Sequence, residues 1–212
     1  MNFKSSFFIL LVFALLSNCK DLDPNQQIDE GNIENNVYVS NEIGWTMTIP
    51  EGWDIVTMDE TKAYQKKGTD ILEDMIEEDY DMSQLRNLLS FKKNRFNLFQ
   101  STSEPYEIEY EGEWDDNNIA LKELLIDAFK AQGITLTSTP ISTELIDGVE
   151  FKHYEFTMYD TDDTIILNQM IYATWKDGYD FGVNITYNNE DDKNEMLSAF
   201  RNSKFTKVKP KA

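Results

Sequence analysis

The 212 residues carry 39 Asp and Glu against 19 Lys and Arg, a formal net charge of −20, with one His and one Cys. Such an acidic surface repels phosphate backbones and excludes nucleic acid as a partner, while a single Cys excludes an internal disulfide and a thiolate zinc cage. With 41% hydrophobic and 13% aromatic residues the chain has the material for a packed core and is not a disordered acidic tail.

The first element is an export segment. Lys4 precedes an unbroken apolar run over residues 7–16. At about 1.5 Å per residue this run covers roughly half a bilayer's hydrocarbon core, which suits a signal-peptide h-region and not a membrane span. Leu16-Ser17-Asn18-Cys19 follows directly. It resembles the lipobox of bacterial lipoproteins, with Asn18 in the place where Gly, Ala or Ser is usual. The resemblance implies that residues 1–18 are a lipoprotein signal peptide and that Cys19 is acylated, palmitate-type chains contributing about 0.8 kcal/mol per buried CH₂. Lys20-Asp21-Leu22-Asp23 is similar both to the inner-membrane retention signal of enteric bacteria and to the acidic export signal of Bacteroidota surface lipoproteins. The many Asn, Lys, Ile and Asp favour the second, and with it the outer membrane, on the periplasmic or the surface side. Residues 19–37, polar and without sustained periodicity, read as a flexible tether, and residues 38–208 as one domain.

Within that domain, Trp45 to Ile49 alternates as a strand, and Pro50-Glu51-Gly52 turns it into a second strand over 53–57. Helical spacing of Ile71, Leu72, Met75, Ile76 and Tyr80 predicts a helix over 69–80. Residues 88–92 and 96–101 read as a hairpin. In 106–114, Tyr106, Ile108, Tyr110 and Trp114 are interleaved with Glu107, Glu109, Glu111 and Glu113, which predicts a strand with a ladder of carboxylates along one face. Leu121, Leu124, Leu125, Ala128 and Phe129 mark a helix over 119–132, closed by Gly133. A meander follows: strands over 134–146, 149–159, 164–175 and 179–187, with hairpin turns at Asp147-Gly148 and Asp177-Gly178, where positive φ is required. A helix over 189–200 with Met196, Leu197 and Phe200 inward closes the domain.

Tyr38, Gly44-Trp45, Ile49-Pro50-Glu51-Gly52-Trp53, the long meander and the closing helix before Ser203-Lys204-Phe205 resemble the PsbP-like fold, shared by PsbP, the Mog-type Ran-binding proteins and many bacterial lipoproteins. The resemblance spans residues 38–207. It implies an α+β domain, an antiparallel β-sheet flanked by helices in an α/β/α sandwich, and a binding or assembly role. No motif here carries over the metal and photosystem contacts of PsbP or the Ran-binding surface, and a fold alone licenses neither.

The residues that bear chemistry are few. His153 lies in a strand with no Gly-x-Ser-x-Gly elbow and no second His, so a structural or surface role is expected for it. The acidic groups Asp115-Asp116, Asp160/Asp162/Asp163 and Glu190-Asp191-Asp192 lack the spacing of the twelve-residue calcium loop, and loops and helix N-termini enrich acids anyway. Trp45, Trp53, Trp114 and Trp175 are expected mainly in packing. Trp114, with Tyr110 beside it, is the aromatic expected to be exposed and to meet a ligand or partner. These observations lead to the expectation of a noncatalytic, lipid-anchored envelope protein that uses no cofactor or metal and binds another envelope protein or a small ligand. The alternatives are a hydrolase using Glu107, Glu109, Asp115 and His153, and a calcium-dependent module.

Overall fold

A computed structural model describes residues 22–76 and 83–208, with the backbone alone for 71–76. The expected signal peptide over residues 1–18, Cys19 and residues 77–80 of the expected 69–80 helix lie outside the described residues.

In chain order, a short 3₁₀ turn (Pro24–Gln26) leads into β1 (Asn32–Glu34), β2 (Val37–Val39), β3 (Trp45–Thr48) and β4 (Asp54–Ile55). Helix α1 (Met58–Ile76) precedes the hairpin β5 (Arg86–Asn94) and β6 (Asn97–Pro105), and α2 (Glu113–Ala131) follows. The meander comprises β7 (Thr135–Ser138), β8 (Ser142–Ile146), β9 (Val149–Tyr159), β10 (Ile165–Lys176) and β11 (Tyr179–Tyr187), before α3 (Glu190–Arg201) and β12 (Lys204–Phe205).

The strands form two antiparallel sheets. The smaller is ordered β1-β2-β3-β12, and the larger β4-β5-β6-β11-β10-β9-β7, with β8 also pairing β9. Period-two alternation gives the larger sheet two different faces. On one, Phe99, Phe151, Phe181, Val183 and Ile185 are fully buried against Trp45 of the small sheet and Phe200 of α3. Trp45 is the hub, with ring centroids 5.4 Å from Tyr38, 5.0 Å from Phe181 and 6.4 Å from both Phe99 and Phe200. On the opposite face, Tyr154, Phe156 and Met158 of β9 form a separate core with Leu125, Ile126 and Phe129 of α2. Helices thus cover both faces of an antiparallel sheet, the α+β layering that the patterning predicts and the sandwich that the resemblance implies.

Four expectations are corrected. The segment expected as a flexible tether over 19–37 is structured from residue 22 onward. Asn25 exchanges two hydrogen bonds with the backbone of Ile33 (2.7 and 3.0 Å), and Asp29 does the same for the edge of β5, accepting from Asn87 N at 2.8 Å. Glu30 accepts from Ser40 Oγ at 2.7 Å and Asn41 N at 2.8 Å. Side-chain-to-backbone bonds hold this polar stretch where composition alone suggests coil. The expected 69–80 helix begins at Met58, because Thr57 and Glu60 form a reciprocal capping box, Glu60 N donating to Thr57 Oγ1 and Thr57 N to the Glu60 carboxylate, both at 3.2 Å. The 106–114 carboxylate ladder does not exist: β6 ends at Pro105, Gly112 takes φ +91°, and Glu113 already opens α2. Acidic residues there fill the first turn of a helix, where the dipole favours them. The single strand expected over 134–146 is broken at Thr139-Pro140-Ile141 into β7 and β8, which pair with successive stretches of β9.

The turns are as expected. Asp147 and Asp177 take φ +46° and +53°, each followed by a glycine at positive φ. Asp147 does more than turn the chain: its carboxylate accepts from Phe205 N at 2.8 Å and from Lys204 Nζ at 2.9 Å, tying the hairpin to β12.

Candidate binding cleft

On the face of the larger sheet opposite the Trp45 core, α2 packs on β9, and Gln65 of α1 bonds Asn87 of β5 at 3.1 Å. Between them, a cleft of about 380 Å³ lies between the sheet and Asn118, Leu121 and Leu125 of α2. Its floor follows from strand register. Across β6, β11 and β10 three rows lie side by side: Glu104–Asp180–Trp175, Thr102–Gly182–Ala173 and Gln100–Asn184–Ile171. The middle row is made of small residues between two rows of larger ones, so the floor is dished at Gly182.

Gly182 sits in the interior of β11 with no positive φ. A Cβ there would meet only Thr102 Oγ1 at 3.5 Å, an ordinary contact. Glycine in a strand interior costs roughly 0.5–1 kcal/mol relative to alanine, and here neither backbone conformation nor packing demands it.

The electrostatics are one-sided. Glu104 and Asp180 are direct cross-strand partners, and both line the cleft. Burial pushes both carboxyls above the usual range; Glu104 is raised further by the charge of Asp180, while the Trp114 indole, donating to Asp180 Oδ1 at 3.1 Å, opposes the rise there. Among the described residues no Lys or Arg pairs with either carboxylate, and none lines the cleft. The two lysines of this layer are engaged elsewhere: Lys152 with Asp115 at 3.3 Å, and Lys122 with the Thr139 carbonyl at 2.5 Å and over the Tyr154 ring, 5.2 Å from its centroid. Asn184 also lines the cleft, while its Oδ1 is buried away from solvent without a hydrogen-bond partner among the described residues.

Of the residues singled out from sequence, Trp114 stands half-buried at the cleft's end, its indole bonded to Asp180, and Tyr110 is exposed in the loop before α2. The tryptophan that is most open to solvent is Trp175, 41% exposed, with its indole donating to the Tyr106 carbonyl at 3.0 Å. Trp45 and Trp53 are core. Glu104, Asp180 and Gly182 were not legible as a site, although Asp180-Phe181-Gly182-Val183-Asn184 alternates an apolar face with a polar one that contains a strand-interior glycine.

The hydrolase residues do not converge. Alternation along β9 puts His153 on the face away from α2, stacked on Tyr172 with centroids 4.9 Å apart, while Asp115 is on α2 and Glu107 and Glu109 are exposed in the preceding loop. His153 Nε2 does lie 3.1 Å from Ser142 Oγ, as a cross-strand neighbour. The carboxylate on that side, Glu144, is held by Arg201 at 2.6 and 2.9 Å and accepts from Tyr172 OH at 3.0 Å, which keeps it below the usual glutamate range and occupied. A serine nucleophile needs its histidine oriented by a free carboxylate, and this arrangement lacks that third member. The acidic groups at 115–116 and 190–192 fall in the first turns of α2 and α3, and among the described residues no three His, Cys, Asp or Glu side chains are grouped to hold a metal ion. No described helix is long and apolar enough to cross a membrane.

No protein-family model matches the chain, and no curated protein matches it. Among solved structures it is similar to the solution structure of cyanobacterial PsbP (CyanoP) from Synechocystis, with 13% identity and a TM-score of 0.53 over 83% of this chain and 96% of that one. The fold is therefore PsbP-like.

Proposed function

We propose that this chain is a noncatalytic, lipid-anchored protein of the cell envelope, whose PsbP-like domain serves as a binding or accessory module, and that the cleft beneath α2 receives its ligand. The observation that carries the reading is the cleft itself: an indented, partly apolar hollow of ligand size, floored by an unforced glycine and edged by the facing carboxylates Glu104 and Asp180. The likeness to PsbP supports an accessory role through the fold, and the lipobox-like segment ending at Cys19 supports the anchor.

Native mass spectrometry on the full chain released from envelopes is the direct test. A small molecule that accompanies the wild-type chain and is lost in Gly182→Leu supports the cleft; a bound species retained in Gly182→Leu, or none in either, refutes it. For the anchor, Cys19→Ala is expected to move the protein from the membrane to the soluble fraction. Continued membrane association of that variant would sink the lipoprotein assignment.

A further inference from the structure

Resting on the proposal that Cys19 is acylated, we infer that the end of the domain built by Leu22, Trp53 and the β5–β6 turn is a docking surface for the bilayer itself, and that the cleft beneath α2 therefore opens toward water. Leu22 and Pro24, with Trp53 behind them, and Arg95 and Phe96 at the hairpin tip rest on the lipid headgroups.

Three observations converge on this surface. The first is reach. Leu22 follows Cys19 by three residues, so by covalent geometry alone Cys19 stays within about 11 Å of it, whatever path the chain takes. Asn25, Asp29 and Glu30 bond the next stretch to the domain, so no further chain can be let out, and acyl chains that hold Cys19 at the bilayer hold the surface around Leu22 there too. The second is apolar area. Leu22 is 47% exposed and, with Pro24, Ile49, Trp53 and Ile55, lines an open hollow of about 350 Å³, at the place where the chain leaves for its anchor. The third is the neighbouring turn. Asp54 pairs with Lys92 just before it, and Lys93 Nζ lies 5.0 Å from the Trp53 ring centroid, which sets the turn beside the hollow. Lys92 is spent on Glu60, and Lys93 on Asp192 and Glu195, whereas Arg95 is exposed, stands 4.4 Å from the Phe96 ring centroid and has no carboxylate partner among the described residues. A guanidinium over an aromatic ring suits a lipid phosphate above an apolar layer. Glu51 and Asp54 border the same surface, so the contact rests on reach and apolar area and not on net charge. The cleft points the other way: Glu104 stands seven residues along β6 from Asn97, about 23 Å at the usual strand rise, so a ligand enters from the aqueous side.

The test uses the full acylated chain in vesicles of phosphatidylethanolamine and phosphatidylglycerol, with a nitroxide on a fraction of the headgroups. An acylated Cys19 does not react with a thiol label, so a fluorophore is attached singly through Glu51→Cys, exposed in the turn before Trp53, or through Glu111→Cys, exposed in the loop before α2 at the far end. Quenching is expected at position 51 and not at 111. Combining Leu22→Glu with Arg95→Glu, both at exposed positions, should leave the chain on the vesicles and its melting close to wild type, while most of the quenching at 51 is lost. Equal quenching at the two positions, stronger quenching at 111, or full quenching at 51 in the double variant overturns the inference. Flotation of the vesicles scores the anchor separately. A chain that does not float with them sinks the lipoprotein assignment and the docking surface with it; a chain that floats while the two labels do not differ sinks the docking surface alone.

Discussion

Glu104→Gln should stabilise the folded protein at neutral pH and lose that gain in acid. Glu104 lies directly across from Asp180, both carboxyls are partly withdrawn from water, and among the described residues neither has a cationic partner. Directly opposed like charges on a sheet cost roughly 0.2–1 kcal/mol, and partial burial places this pair toward the upper end. For a domain of this size a gain of about 1 kcal/mol raises Tm by about 2–4 °C. The pH dependence follows from the direction of the shifts. A carboxyl whose folded pKa is raised binds more protons in the folded than in the unfolded state, so the penalty is fully present above the folded pKa. It is relieved as pH falls through the folded value and is gone below the unfolded one. The variant's advantage should therefore be largest at pH 7 and vanish below the ordinary glutamate and aspartate range. Urea unfolding followed by circular dichroism at pH 7 and at pH 3.5, with m-values compared, measures both. Asp180→Asn, which keeps an acceptor for the Trp114 indole, should give a similar gain, and the double variant should gain less than the sum, since the repulsion can be removed only once. Destabilisation of Glu104→Gln at pH 7, or a gain that persists at pH 3.5, would refute the reasoning. Stability gained together with ligand affinity lost is the trade expected of a site kept for function.

Two further outcomes test the fold. Trp45→Ala empties the hub between the small sheet, the larger sheet and α3, and should cost about 3–5 kcal/mol in urea unfolding; Trp45→Phe should cost clearly less, because it keeps most of the ring and removes an indole N–H that is buried without a partner among the described residues. Gly44→Ala and Gly68→Ala should have opposite signs: at Gly44 φ is +69° and a Cβ would lie 2.4 Å from the Thr206 carbonyl oxygen, whereas Gly68 lies in α1 with open space around it and should gain about 0.5–1 kcal/mol as alanine. Melting temperatures of the two variants decide it, and destabilisation by Gly68→Ala would count against the α1 assignment.

Local chemistry made much of the architecture readable in the chain. Asp-Gly at 147 and 177 fixed two turns, alternation over 149–159 and 179–187 fixed two strands to the residue, and Met196, Leu197 and Phe200 marked the buried stripe of α3. These signals survive folding because they depend on φ preferences and on the period of side-chain direction. Readings that weighed composition alone did not survive: residues 22–36 are held by Asn25, Asp29 and Glu30, each accepting from backbone N–H several residues or a whole strand away. The glutamate-rich 106–114 stretch failed for a related reason, since strand and helix starts compete there and Gly112 settles the contest by turning the chain into α2.

The cleft belongs wholly to the tertiary structure. Glu104 and Asp180 are 76 positions apart in sequence and become neighbours only because β11 returns beside β6. Gly182 is one small residue in an alternating strand until Thr102 and Ala173 flank it and α2 stands above. What the sequence by itself determined was the acidic, single-cysteine chain and most of its secondary structure, because those follow from residue type and near-neighbour spacing. Which carboxylates face each other, and which face of the sheet is left open, depended on strand order and register, which near-neighbour spacing does not encode.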